Sequence, residues 1–187
     1  LSGCNAWDGR NETRAASACP YCDTDFRGGD TLDIAGILAR LSALVSVSVL
    51  ESAHLGLVLT GGEPLLQADE ALITALAVRF AWVDIETNGT RTCPARPAHV
   101  FVSCSPKAVR DQPVIADPDW WKILIPDQQV FLERALASGK PVFVQPTCPD
   151  AGPSGELYQR NLATCLELCY TRGCRLSAQL HKYVGVE

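Results

Sequence analysis

Cys4, Cys19 and Cys22 form a C-x14-C-x2-C pattern near the start of the chain. Thiolates at such spacings hold iron–sulfur clusters or zinc. A [4Fe–4S] cluster has four irons, so three thiolates leave one iron open to a ligand that carries both an amine and a carboxylate. Downstream, Thr60-Gly61-Gly62-Glu63-Pro64 follows a buried-looking strand. Its glycines leave the main chain uncovered, so a small ligand can approach closely, and Glu63 can accept from an amine. Plainer readings stand beside these. Cys19-Pro20-Tyr21-Cys22 with Cys4 and one more ligand makes a zinc knuckle, a disulfide is available in an oxidising compartment, and a Gly-Gly pair alone is an ordinary tight turn.

The first cysteine gap is long, and Asp8-Gly9-Arg10-Asn11-Glu12-Thr13-Arg14 within it is polar. It reads as a surface excursion whose ends return to one site, because loop closure grows costlier only slowly with length. Glu86 and Asn88 end a strand-like run, where a carboxylate can accept two N–H bonds from a planar heterocycle; Asn88-Gly89 is equally a turn signal. Ser105 and Lys107 offer a hydroxyl for a ribose and a cation for a carboxylate, against the plain reading of a solvated lysine after a turn proline. Cys148, Cys165, Cys169 and Cys174 raise the question of a second cluster. Cys165 and Cys169 share a helical face with Leu162, Leu166 and Leu168, which favours packing. Cys93 and Cys104 have no partner at ligand spacing, and His54 and His99 open strands; His181 differs in lying at the rim end of the last strand.

These residues need a scaffold. The 187 residues suit one domain over 1–187 with a sizeable core. A formal charge of −5 without a long basic run argues against a nucleic-acid platform. No apolar run reaches membrane-spanning length and no signal-peptide pattern opens the chain, so no membrane role and a cytoplasmic location are expected. Nine cysteines, an odd number, suit metal ligation and core thiols better than a disulfide framework. The chain has no methionine and starts at Leu1-Ser2-Gly3, from which we expect an N-terminal strand segment to be missing. A helix is predicted over 32–47, capped by Asp30 or Thr31, and others over 65–80, 128–137 and 157–170. Strands are predicted over 54–60, 82–86, 100–104, 121–125, 141–144 and 176–180. Strands alternating with helices argue for parallel pairing through right-handed crossovers. Polar clusters at the strands' C-terminal ends, Gln145-Pro146-Thr147 among them, mark that rim as the site of chemistry.

Taken together, Cys4, Cys19-Pro20-Tyr21-Cys22-Asp23-Thr24, Thr60-Gly61-Gly62-Glu63-Pro64, Glu86-Thr87-Asn88-Gly89, Ser105-Pro106-Lys107, Val144-Gln145-Pro146 and His181-Lys182-Tyr183 closely resemble the 7-carboxy-7-deazaguanine synthases, in the subgroup with a lengthened cluster loop. The resemblance runs from Leu1 to Glu187. It implies a radical S-adenosylmethionine lyase that converts 6-carboxy-5,6,7,8-tetrahydropterin into 7-carboxy-7-deazaguanine with loss of ammonia, on the route to queuosine and other 7-deazapurines. The implied fold is an abbreviated, partly open (β/α) barrel of about six parallel strands. The implied cofactors are a [4Fe–4S] cluster, S-adenosylmethionine and Mg2+. The implied partners are the pterin, a flavodoxin or ferredoxin as electron donor, and a second copy in a homodimer. Carried over by motif, Cys4, Cys19 and Cys22 hold the cluster and Thr24 ligates Mg2+ through its hydroxyl. Tyr21, Gly62, Glu63, Ser105, Pro106, Lys107, Gln145, Pro146, Thr147 and Cys148 contact S-adenosylmethionine, and Thr60, Glu86, Asn88, His181 and the terminal Glu187 face the pterin. The family's Gln-Gly-Glu segment and an Arg precede the first cysteine, and this chain starts too late to show either. Two rivals remain open at this point: a small radical activase acting on a partner protein, and a zinc-stabilised binding module.

Overall fold

The computed structural model describes residues 1–44, 55–109, 114, 117–148 and 152–185. Six strands, β1 (Gly56–Leu59), β2 (Trp82–Thr87), β3 (Val100–Cys104), β4 (Trp120–Ile125), β5 (Val142–Pro146) and β6 (Arg175–Leu176), form one sheet in sequence order. Every neighbouring pair is parallel. Parallel neighbours in chain order require each connection to cross back over the same face, the winding of a barrel. Among the described residues β1 and β6 do not pair, so the barrel is open.

Alternation along the strands separates two faces. In β2, Val83 and Ile85 are fully buried against α3 (Glu70–Arg79), while Trp82, Asp84 and Glu86 take the opposite, concave face. A second core joins β4 and β5 to α4 (Leu132–Ala137) and α5 (Glu156–Arg172). Cys165 and Cys174 lie in that core, and burial pushes the Cys165 thiol up to about 12. They are packing residues.

Several boundaries depart from the sequence reading. α2 (Ile34–Leu44) is started by Asp33, whose carboxylate accepts from the Gly36 N–H at 2.7 Å, because Asp30 is engaged instead by Arg40. The expected helix over 65–80 is split into a 3-10 turn, Pro64–Leu66, and α3, since Asp69 caps a new start by accepting from the Leu72 N–H at 2.8 Å. Among the described residues no helix joins β2 to β3 or β3 to β4, stretches where Pro94, Pro97, Pro106 and Pro118 interrupt the chain. The last strand is only Arg175–Leu176; the chain then turns and coils as α6 (Leu180–Val184), which puts His181 on a helix rather than at a strand end. Val45, Val47, His54 and Glu187 lie outside the described residues.

One close approach fixes the site's edge. Leu1 to Gly3 runs beside Thr60 to Glu63: the Gly62 and Glu63 N–H groups donate to the Leu1 and Gly3 carbonyls, both at 2.9 Å, and the Leu1 nitrogen donates to the Thr60 carbonyl at 2.7 Å. A Cβ at Gly61, whose φ is 126°, would lie 2.0 Å from the Leu1 oxygen, and one at Gly62 would lie 1.8 Å from the Gly3 oxygen and 3.1 Å from the Cys4 Cβ. Main chain meets main chain at these positions, so no side chain can swing aside. Gly62→Ala is therefore expected to displace Cys4 and lower bound iron per chain after anaerobic reconstitution, with a stability loss of about 1–3 kcal/mol. Iron analysis alongside thermal unfolding checks this; parental iron content in the variant would show that the approach is not tight.

Candidate active site

A cavity of about 600 Å³ opens at the C-terminal ends of the strands, within the range of small-molecule sites. Cys4, Cys19 and Cys22 are half-buried along one wall, beside Tyr21 and Thr24, which are exposed. The loop that carries them is held at both ends. Gly3 N–H donates to the Phe26 carbonyl at 3.0 Å, and the Asn5 side chain exchanges hydrogen bonds with Asn88 (2.7 Å) and Thr90 (2.8 Å).

The chemistry of the three thiols fits a cluster. A hydrogen bond shared between them pulls the Cys22 thiol down to about 6 and pushes Cys19 up, while the Lys107 charge favours both thiolates. Thiolates are the form that binds iron. A structural zinc takes four ligands around one atom, whereas cluster thiolates each take their own iron, and three half-buried thiols along one cavity wall can do so.

Around the rest of the cavity, Thr60, Gly61, Gly62, Ser105, Lys107, Gln145, Thr147 and Cys148 reach the lining as the sequence reading expects, as do Glu86, Asn88 and His181. Lys107 donates to the Ser105 carbonyl and hydroxyl at 3.1 and 2.9 Å, and burial pulls its ammonium below its ordinary range. Gln145 accepts from the Ser177 hydroxyl at 3.2 Å. Pro106 and Pro146 are buried behind the lining and shape it without facing it.

Glu63 is a correction. Its carboxylate is fully buried, outside the cavity lining, and accepts from the Leu65 N–H (3.0 Å), the Thr87 hydroxyl (2.8 Å) and the Asn88 N–H (2.7 Å). Both oxygens are engaged by the protein, so this group braces the site from inside instead of meeting a ligand's amine. The neighbouring N–H groups are likewise spent on Leu1 and Gly3. What this strip offers a ligand is acceptor oxygen, the kind an ammonium needs.

Glu86 forms an ion pair with Lys122 across the concave face, and both line the cavity. One step below on the same strand face, Asp84 is pushed up to about 7, first by burial and then by the Glu86 charge, and its Oδ1 has no hydrogen-bond partner among the described residues. On the far side, α6 is tied to the cluster loop: Gln179 and Lys182 both reach the Asp23 carboxylate, at 3.0 and 2.8 Å, and Tyr183 meets Tyr158 of α5. This clamp keeps His181 among the residues lining the cavity.

Lys122, Asp127, Gln128 and Ser177 line the cavity and were missed by the sequence reading. A lone charge inside the apolar run Trp121-Lys122-Ile123 was a signal for the first, and position just beyond the end of β4 for the next two.

No family model matches the chain. Curated relatives do. The 7-carboxy-7-deazaguanine synthase of Caulobacter vibrioides is 37% identical over 197 residues, covering all of this chain and 87% of the relative. That of Burkholderia multivorans is 36% identical over 195 residues with the same coverage. Among solved structures, the crystal structure of QueE from Escherichia coli superposes with a TM-score of 0.68, covering 96% of this chain and 82% of that one at 20% identity, a likeness of fold. With full-length identity of this order and the cysteines, rim motifs and open parallel barrel in place, the chain belongs to the 7-carboxy-7-deazaguanine synthase family.

Proposed function

We propose that this enzyme converts 6-carboxy-5,6,7,8-tetrahydropterin into 7-carboxy-7-deazaguanine with loss of ammonia, using a [4Fe–4S] cluster, S-adenosylmethionine and Mg2+. The observation that carries the reading is one cavity whose walls bring together Cys4, Cys19 and Cys22, the Gly61-Gly62 strip, Lys107 and the Glu86–Lys122 pair. When bound, cluster and S-adenosylmethionine together supply one-electron reductive cleavage and hence hydrogen-atom abstraction from the pterin.

The chain's own residues bind, orient and enclose. Cys4, Cys19 and Cys22 would hold the cluster. Ser105, Lys107, Gln145, Thr147 and Cys148, with the Gly62 strip and Tyr21, would line the S-adenosylmethionine site, Lys107 meeting its carboxylate. The Thr24 hydroxyl, on the wall shared with a smaller neighbouring cavity, would ligate Mg2+ as a hard oxygen donor. Glu86 would accept two N–H bonds from the pterin's amino-pyrimidinone edge, with Thr60, Asn88 and His181 around the ring. The ion pair with Lys122 fixes the direction of the Glu86 carboxylate, which a neutral planar heterocycle with paired donors rewards. The clamp from α6 onto Asp23 would shield the reacting centre from water. A flavodoxin or ferredoxin as electron donor and a homodimeric assembly belong to the same proposal and rest on the family resemblance.

Anaerobic incubation of the reconstituted enzyme with the carboxy-tetrahydropterin tests the reading, and absence of 7-carboxy-7-deazaguanine overturns it. Glu86→Gln should lower pterin turnover about ten- to a hundredfold at limiting substrate, the worth of a charge-assisted pair replaced by a mismatched amide. Uncoupled cleavage of S-adenosylmethionine should persist. If both reactions fall together, Glu86 belongs to the cofactor site or the fold. Asp84 predicts a pH dependence of stability. Its carboxyl is raised from 3.8 to about 7 in the fold, so the folded state binds the proton more tightly than the unfolded one. That contribution is complete below the ordinary value and is lost as pH rises through about 7. Asp84→Asn should flatten the fall in Tm over this window; an unchanged slope would mean that Asp84 ionises normally.

A further inference from the structure

The stretch between Cys4 and Cys19 is unused by the proposed reaction; Asp8, Arg10 to Thr13, Ala15 and Ala16 are exposed, as a surface excursion requires, but its base is anchored and Arg14 turns inward. Trp7 is only 7% exposed and packs edge-on against Phe26 with ring centroids 5.6 Å apart. Its indole N–H donates to the Arg10 carbonyl (3.0 Å) and the Thr13 hydroxyl (3.2 Å), which pins α1 (Asn11–Arg14) over the ring. Ala18 N–H to the Ala6 carbonyl, at 3.2 Å, closes the loop at its base. From α1 the Arg14 side chain returns to the site. Its guanidinium stacks 4.2 Å from the centroid of Trp7, and Nη1 donates to the Cys22 carbonyl at 2.7 Å.

The half-buried Arg14 guanidinium meets the Trp7 ring and the Cys22 carbonyl, with no ion pair among the described residues, whereas the nearby Asp23 carboxylate is taken by Lys182. Its charge is permanent, held by a ring and a carbonyl, and is not cancelled at contact distance. Reduction of an iron–sulfur cluster adds a negative charge, and the potential responds to nearby charge and hydrogen bonding. A cation fixed on the backbone of the last cysteine lowers the cost of that added charge. A plain surface excursion would need neither a buried Trp nor an Arg directed inward.

We propose that Arg14 is a positioning residue for the iron–sulfur cluster: the lengthened loop folds on Trp7 in order to hold a fixed cation on the backbone of Cys22, which steadies that ligand and favours the reduced cluster. The inference rests on the cluster reading given above. Trp7 acts through Arg14, as the ring on which the guanidinium lies.

The test is a potentiometric titration of the anaerobically reconstituted enzyme followed by electron paramagnetic resonance, with release of iron to a chelator measured in parallel. Arg14→Met should move the midpoint to more negative potential, so that the ratio of reduced to oxidised cluster at the parent's midpoint falls about threefold or more. Iron release should quicken roughly ten- to a hundredfold. Arg14→Lys keeps the charge but cannot both stack and bond the carbonyl; it should hold a potential close to the parent's while still releasing iron faster. A parental potential in Arg14→Met overturns the inference, as does Arg14→Lys shifting as far as Arg14→Met, since charge would then play no part. A parent that takes up no iron and sulfide overturns the cluster reading and this inference with it. A parent with a full cluster whose potential ignores residue 14 overturns this inference alone.

Discussion

Both oxygens of the Glu63 carboxylate are bonded from within the fold, and the geometry of the rim descends from that arrangement. Oε1 takes the Leu65 N–H and the Thr87 hydroxyl, and Oε2 takes the Asn88 N–H. The end of β2 is thereby fastened to the turn after β1. Asn88, so placed, bonds Asn5 beside the first cysteine, while the main chain at Gly62 and Glu63 bonds Leu1 and Gly3. The cluster loop is thus gripped from both sides by one buried charge and two bare glycines. Each charge-assisted bond is worth roughly 1.5–3 kcal/mol when its loss strands a buried partner.

Charge is distributed unevenly over the same rim. Lys122 and Glu86 neutralise each other, but Asp84 below them and Lys107 opposite are each held by burial against their ordinary ionisation. Desolvated groups without an opposite charge cost stability, and they gather where a ligand is to supply the charge the protein withholds. Lys107 stands by the cysteines, where a carboxylate and thiolates would answer its charge. Asp84 lies beneath Glu86, whose charge adds to burial in raising the Asp84 carboxyl, while Lys122 opposes that rise.

Much of this was legible beforehand, for physical reasons that differ by residue. β3 was readable to the residue because an apolar run bounded by polar and turn residues has few alternatives, and the six-stranded parallel sheet was legible from the helical patterns between β1 and β2, β4 and β5, and β5 and β6, although β2, β3 and β4 are joined without helices among the described residues. The last strand was misread because apolar content over 176–180 says nothing of where a chain leaves a sheet, and Gln179 and Lys182 are drawn to Asp23, far away in sequence. The cysteines and rim motifs were legible through residue type and order. Glu63 was placed in the right neighbourhood with the wrong direction, since its three donors come partly from β2 and only folding brings them together. Arg14 was hidden for the opposite reason: in a polar stretch a charge reads as solvated until a buried Trp7 gives it a platform.

The claim that Glu63 braces the cluster loop from inside is tested most directly by iron and sulfide content in Glu63→Gln, measured with the far-ultraviolet circular dichroism of the same samples. The amide puts a donor where the fold presents donors, so the grip on Thr87 and Asn88 should loosen while the sheet persists. The account predicts parental secondary structure together with a cluster lost to chelator at least about tenfold faster than in the parent. Full retention of about four irons per chain would contradict it. So would collapse of the whole fold, because Glu63 would then be a general core residue rather than the brace of the rim.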